Sequence, residues 1–157
     1  MAKHRGQDQT PFMAADAYGR SLKGLSFNLL VKDVPRAVKF QTEVLGARIV
    51  YADPDFAVLR FADPAGESAE WMLHADHTYG NHPLLALTGD GAIRGAGVEL
   101  RLHHCDPDAA AARARALGYH VFAEAADKPH GLREAYLVDP DGYMWVPDRP
   151  MLGPDPS

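Results

Sequence analysis

Side chains able to move a proton or hold a cation fall in two short alternating stretches, G-V-E-L-R-L-H-H-C-D at 97–106 and E-W-M-L-H-A at 70–75. In the first, Glu99, Arg101 and His103 alternate with Val98, Leu100 and Leu102. Strand residues point alternately to opposite faces, so this is a strand with one apolar and one ionisable face. In the second, Met72 and His74 share one face, while Trp71, Leu73 and Ala75 share the other. An imidazole titrates near neutral pH and a carboxylate accepts protons, so His74 and Glu99 suit general acid–base work. The same two groups are donors for a divalent cation. Glu134 alternates with Arg133 and either lines the same concavity or pairs with a neighbouring basic group, while His103 and His104 are adjacent, so at most one of them reaches it. The competing reading is a solvated strand face on which Glu99 and Arg101 form a structural ion pair.

These residues need a frame. Residues 25–31 alternate as an opening strand, with Ser26, Asn28 and Leu30 on one face and Phe27, Leu29 and Val31 on the other. Asp33 then caps a helix with Pro35 in its first turn, and Gly46 ends it. Strands are expected at 47–52, 56–61 and 70–75, separated by turns at 53–55 and 63–68. After a glycine-rich connection and the 97–104 strand, Asp106 and Pro107 open a second helix, alanine-rich, that Gly118 stops. Further strands fall at 121–125, 135–138 and 143–146, the last after the turn D-P-D-G at 139–142.

The halves match. Asp33 and Asp106 stand 73 residues apart, and Gly46 and Gly118 stand 72 apart. Each strand–cap–helix–glycine device is followed by three strands, which makes the chain an internal duplication of βαβββ. The expected architecture is α+β: two tandem modules whose curved, cup-like sheets carry helices on their outer faces. The boundaries are an arm at 1–24, modules at 25–76 and 97–148, a linker or lid at 77–96, and a tail at 149–157. Trp71, Trp145 and the lone Cys105 are read as core, and His77, Tyr79 and His82 as lid or solvated surface.

Bulk properties narrow the function. The 157 residues are 46% hydrophobic and 24% charged, enough for one core. A net charge of -5 argues against a nucleic-acid or anionic-membrane partner. No stretch approaches the roughly 18 apolar residues of a membrane span. The polar start M-A-K-H-R-G-Q-D-Q-T lacks a signal-peptide core, and a single cysteine permits no internal disulfide. A cytoplasmic location is expected.

The duplicated plan resembles the vicinal oxygen chelate superfamily of glyoxalase I, extradiol dioxygenases, and bleomycin- and fosfomycin-resistance proteins. The resemblance spans 25–148, carried by F-N-L-L-V-K-D-V-P-R-A-V-K-F-Q-T-E-V-L-G at 27–46 and P-H-G-L-R-E-A-Y-L-V-D-P-D-G-Y-M-W-V at 129–146. It implies a cavity between modules, paired within a chain or across a dimer, with four metal ligands from the first and last strands of each module. Carried over, those corners fall on Ser26, His74, Glu99 and Val146, of which only His74 and Glu99 are strong donors.

The expectation is therefore a cup that binds a small organic molecule without a resident cofactor. Ser26, Asn28, Met72, Arg101, His103, Glu134, Met144 and Val146 would line it, and His74 and Glu99 would stand at its centre. The alternative is a glyoxalase-like lyase or isomerase, or a dioxygenase. It would use His74 and Glu99 as an acid–base pair or as ligands of a divalent metal (Zn, Ni, Fe or Mn). A third reading is a dimeric interaction module with filled cups. Open sheet edges and the N-terminal arm favour a homodimer.

Overall fold

In the computed structural model, described over residues 13–78, 80, 83–89 and 91–152, the chain forms two four-stranded sheets and three helices. The first module contains β1 (Asn28–Val31), α2 (Val34–Glu43), β2 (Arg48–Ala52), β3 (Phe56–Ala62) and β4 (Ser68–Ala75). The second contains β5 (Glu99–His103), α3 (Pro107–Ala116), β6 (His120–Asp127), β7 (Leu132–Val138) and β8 (Met144–Pro150). Strand orders are β1-β4-β3-β2 and β5-β8-β7-β6. In each sheet the first strand runs parallel to the last and the remaining pairs are antiparallel. Both modules are thus the same mixed sheet with one helix packed on one face, as the duplication requires.

The helices form where the caps place them. Asp33 accepts the amide of Arg36 at 2.9 Å, and Asp106 accepts those of Asp108 and Ala109 at 3.0 and 3.2 Å. Each side chain thereby satisfies orphan donors of a first turn. Gly46 and Gly118, at φ +77° and +80°, take the left-handed conformation that ends each helix.

The helix-bearing faces of the two sheets share one core. Trp71 of β4 lies 5.2 Å from Trp145 of β8 between ring centroids, and Phe40 of α2 lies 5.0 Å from Tyr119 after α3. Cys105, buried as expected, donates to the Leu45 carbonyl, and burial pushes its thiol up to about 12. Because these faces meet each other, the opposite, open faces point apart. The segment joining the modules is tied to both. The buried Arg94 guanidinium holds Asp76 through two bonds of 2.6 and 2.7 Å and donates to the Leu30 carbonyl. Gly95 passes so close to the second module that an added Cβ would stand 2.8 Å from the Tyr143 Cα. Tyr79 and His82 lie outside the described residues.

Besides β7, which begins at Leu132 rather than at residue 135, two elements depart from expectation. The arm contains a helix, α1 (Ala15–Ser21), that the aperiodic N-terminal sequence did not signal. Strand β8 runs on to Pro150, four residues past its expected end, because Pro147 pairs within the sheet opposite Leu102 rather than stopping the strand.

Candidate functional site

Strand pairing decides which residues correspond between modules. Asn28 lies opposite Met72, and Arg101 lies opposite Val146. Asn28 and Arg101 each stand five residues before their capping Asp33 and Asp106. Met72 therefore corresponds to Val146, and His74 to Asp148. The sequence offset that matched His74 with Val146 is displaced by two residues. The second module has 28 residues from its helix-ending glycine to this position, the first only 26. The corners implied by the resemblance become Ser26, Met72, Glu99 and Val146. Only Glu99 among them is a metal donor, so these residues do not fit the superfamily's four-ligand ion. Among the described residues no group of three or more His, Cys, Asp or Glu side chains is arranged to hold a metal.

On the open face of the first sheet, β1, β4 and β3 present Asn28, Met72, His74 and Phe56 side by side. The His74 ring packs on Phe56 at 4.5 Å between centroids, and its Nδ1 is 2.5 Å from the Asn28 Oδ1. Since an amide oxygen only accepts, that contact places a proton on Nδ1. Helix α1 lies across this face. Its Tyr18 meets Phe56 edge-on at 6.4 Å and donates to Glu70, which also takes two bonds from Arg60. Burial, reinforced by the Glu70 charge, pushes the Tyr18 hydroxyl up to about 12. Two cavities sharing Tyr18, Leu22 and Met72 open between α1 and the sheet. One of about 210 Å³ reaches Phe56 and His74, and one of about 530 Å³ reaches Ser26, Arg60 and Glu70. Ser26, Asn28, Met72 and His74 are thus brought to one face.

The matching face of the second sheet is an ionic network. Arg101 donates to the half-exposed Glu99 at 3.1 Å, to Asp148 at 3.1 Å and to Glu134 over a short bond. Asp148 is also 2.9 Å from the His103 Nδ1, and Glu134 accepts from Tyr136 at 2.7 Å and lies 3.2 Å from His130. Both carboxylates are 1% exposed at the side chain. Burial alone would raise the Glu134 carboxyl, but hydrogen bonds from Tyr136, Arg101 and His130 outweigh it and hold it at about 2. The bond to Glu134 likewise holds the Arg101 guanidinium charged beyond its ordinary range. The structure brings Arg101, His103, Glu99 and Glu134 together as the alternation suggested, with Met144 and Val146 in the same face register. Their partners Asp148, Tyr136 and His130 were missed. Extending the alternation Met144, Val146, Asp148 past the proline would have found the first.

His74 and Glu99 therefore sit on faces that point apart within one chain. An acid–base pair made of both would require a second copy to carry one of them.

The fold and the two faces define a class: a tandem βαβββ protein with open-faced sheets and a cavity-bearing first module. The chain belongs to the Glyoxalase/Bleomycin resistance protein/Dioxygenase superfamily, whose model matches residues 25–146. Helix α1 precedes the matched region. Solved structures with the same fold include a glyoxalase/bleomycin resistance protein/dioxygenase from Nocardioides. It is 23% identical, covering 90% of this chain and 96% of that one, with a TM-score of 0.58. A family enzyme from Burkholderia phytofirmans PsJN is 17% identical, with coverage of 80% and 97% and a TM-score of 0.62. TioX from Micromonospora sp. ML1 is 24% identical, with coverage of 82% and 99% and a TM-score of 0.55. No curated protein sequence matches the chain significantly.

Proposed function

We propose that this chain binds a small, largely apolar organic molecule on the open face of its first sheet, beneath α1, without a metal. The observation that carries this reading is the pair of adjoining cavities of about 210 and 530 Å³ on that face. Their walls combine apolar area from Phe56, Met72 and Leu22 with a few polar groups, the composition typical of ligand sites. The His74–Asn28 pair supplies orientation, and Tyr18 closes the site from above. Ser26 borders the larger cavity beside Arg60 and Glu70.

A homodimer belongs to the same reading. The open faces of one chain point apart, so a second copy is needed to set the Arg101 face opposite the His74 face of its partner. The fully exposed Leu25 and half-exposed Val98, beside β1 and β5, suit such a contact.

The test is a ligand-detected NMR screen of small aromatic compounds on the full chain, followed by titration of the hits with and without EDTA. Affinities indifferent to EDTA and weakened at least ~10-fold by Phe56→Ala and by His74→Ala support the proposal, each change removing contact on the order of 1 kcal/mol or more. Binding or turnover that EDTA abolishes, or hits untouched by both variants, rejects it. Sedimentation equilibrium at micromolar concentration should give twice 17.1 kDa, and a 17.1 kDa particle discards the dimer.

No helix among the described residues is long and apolar enough to cross a membrane.

A further inference from the structure

The cavity of about 210 Å³ takes its walls from two elements. Phe56, Met72 and His74 of β3 and β4 form its floor, and Ala15, Tyr18, Gly19 and Leu22 of the α1 segment form its roof. The floor is fixed, because β3 and β4 pair along seven successive residues within the first sheet. The roof is not. Helix α1 has seven residues, none of them buried, and no side chain caps its first turn. A helix that short is not stable alone, so it keeps its shape only while it rests on the sheet. Residues 21–26, which join it to β1, are all exposed, and Gly24 among them sits at φ +65°. Glycine takes that left-handed conformation without strain, and an unpacked joint of this kind can pivot without disturbing either end. The segment between the modules differs, since the buried Arg94 ties it to Asp76 and to the Leu30 carbonyl. The family match begins at residue 25, so α1 also lies outside the shared frame.

Tyr18 meets the sheet in two ways. Its ring stands edge-on to Phe56 at 6.4 Å, and its hydroxyl donates to the Glu70 Oε1 at 3.2 Å. Glu70 is a steady acceptor, because Arg60 holds its other oxygen through bonds of 3.0 and 2.6 Å. Burial, reinforced by the Glu70 charge, puts the Tyr18 hydroxyl at about 12, so it stays a donor across the neutral range. The ion pair of Arg20 with Asp16 at 2.7 Å lies within the helix and adds nothing to its hold on the sheet.

On the reading of that face as the ligand site, we propose that α1 is its lid. It lifts about the 21–26 joint to admit a ligand and closes over it, with the Tyr18–Glu70 bond as latch. A latch acts on entry and exit alike. Weakening it raises the open fraction of empty and occupied protein together, so both rate constants rise and their ratio is kept. A residue that merely touches the ligand changes mainly the rate of leaving.

The experiment compares the full chain with Tyr18→Phe, which deletes the hydroxyl and keeps the ring and the helix propensity. Hydrogen exchange of the ligand-free protein reads the lid directly, because α1 amides exchange when the helix leaves the sheet. In Tyr18→Phe the amides of residues 18–21 should exchange about 10-fold faster, the scale of one hydrogen bond to a charged group, with those of β4 unchanged. Glu70→Ala should give the same increase and the double variant no more, since one bond joins the two. Stopped-flow fluorescence with 1-anilinonaphthalene-8-sulfonate reads the gate. Association and dissociation should each rise about 10-fold in Tyr18→Phe, with affinity kept within about 3-fold. Equal exchange in parent and variant overturns the lid. So does protection of α1 that grows with protein concentration, which would make a second copy its clamp. Faster dissociation with association unchanged reduces Tyr18 to a wall of the site and overturns the gate. Failure of the binding reading shows separately: the dye's affinity then ignores Phe56→Ala, and exchange alone upholds or overturns the lid.

Discussion

On the open face of the first sheet, β1 and β4 set Asn28, Met72 and His74 beside Phe56, with space above them beneath α1. On the open face of the second, the corresponding strands set Arg101, Val146 and Asp148 beside Glu134, with every charge answered at contact distance. The backbone frame is the same, down to the parallel register and the capping aspartate. The difference lies in which side chains stand at four or five positions. A face whose charged groups are bonded to each other is pre-organised, whereas the first face pairs one imidazole with one amide among mostly apolar side chains.

Removing the cation at the centre of the ionic network tests the difference between the two faces most severely. Arg101→Ala leaves Glu134 and Asp148 buried with fewer donors and should cost about 3 kcal/mol in urea unfolding. Asn28→Ala, at the equivalent position of the other module, removes one neutral-type bond and should cost about 1 kcal/mol. Equal losses would mean that the second face is no more tightly organised than the first.

Acid titration probes the same network. The Glu134 carboxyl is at about 2 in the folded chain against 4.5 ordinarily, so between these values the unfolded chain binds more protons. Stability therefore rises with pH through that window and is lost as pH falls through it. Glu134→Gln should flatten the slope of melting temperature against pH below about 4.5, the ordinary value. Asp139 acts in the opposite sense. Burial, only partly offset by bonds from the Tyr143 amide, the Trp145 indole and the Asp141 amide, raises it to about 6 from 3.8. The folded chain then holds the extra proton, and stability falls as pH rises between those values. Asp139→Asn should remove that component.

A smaller effect separates the tryptophans. Trp145→Phe discards the bond to Asp139 and leaves a buried carboxylate with one donor fewer, whereas Trp71→Phe removes an unpaired donor. The first should be less stable than the second by about 1 kcal/mol in paired urea melts. The smallest effect belongs to Glu99. It is 48% exposed at the side chain, so Glu99→Gln should change stability by less than about 1 kcal/mol, as an exposed ion pair does. That distinguishes it from Glu134 and Asp148, which share the same arginine.

Much of the frame was legible in the chain itself. Periodicity, two Asp–Pro helix starts and two stop glycines define a duplicated βαβββ plan, because caps and turns are short-range devices whose chemistry is written in neighbouring residues. The alternation also marks which strand face carries Glu99, Arg101 and His103, since side chains repeat every second residue in any strand. What the sequence did not contain is register. A two-residue difference in length between modules moves His74 from the partner of Val146 to the partner of Asp148, and only hydrogen bonding between strands decides that. Nor could local pattern reveal that Pro147 continues β8, that α1 lies over Phe56, or that the Trp145 indole finds an acceptor in Asp139 while the Trp71 indole has none. Each of these depends on contacts between residues distant in the chain, and such contacts exist only once the helix-bearing faces of the two sheets have closed on their shared core.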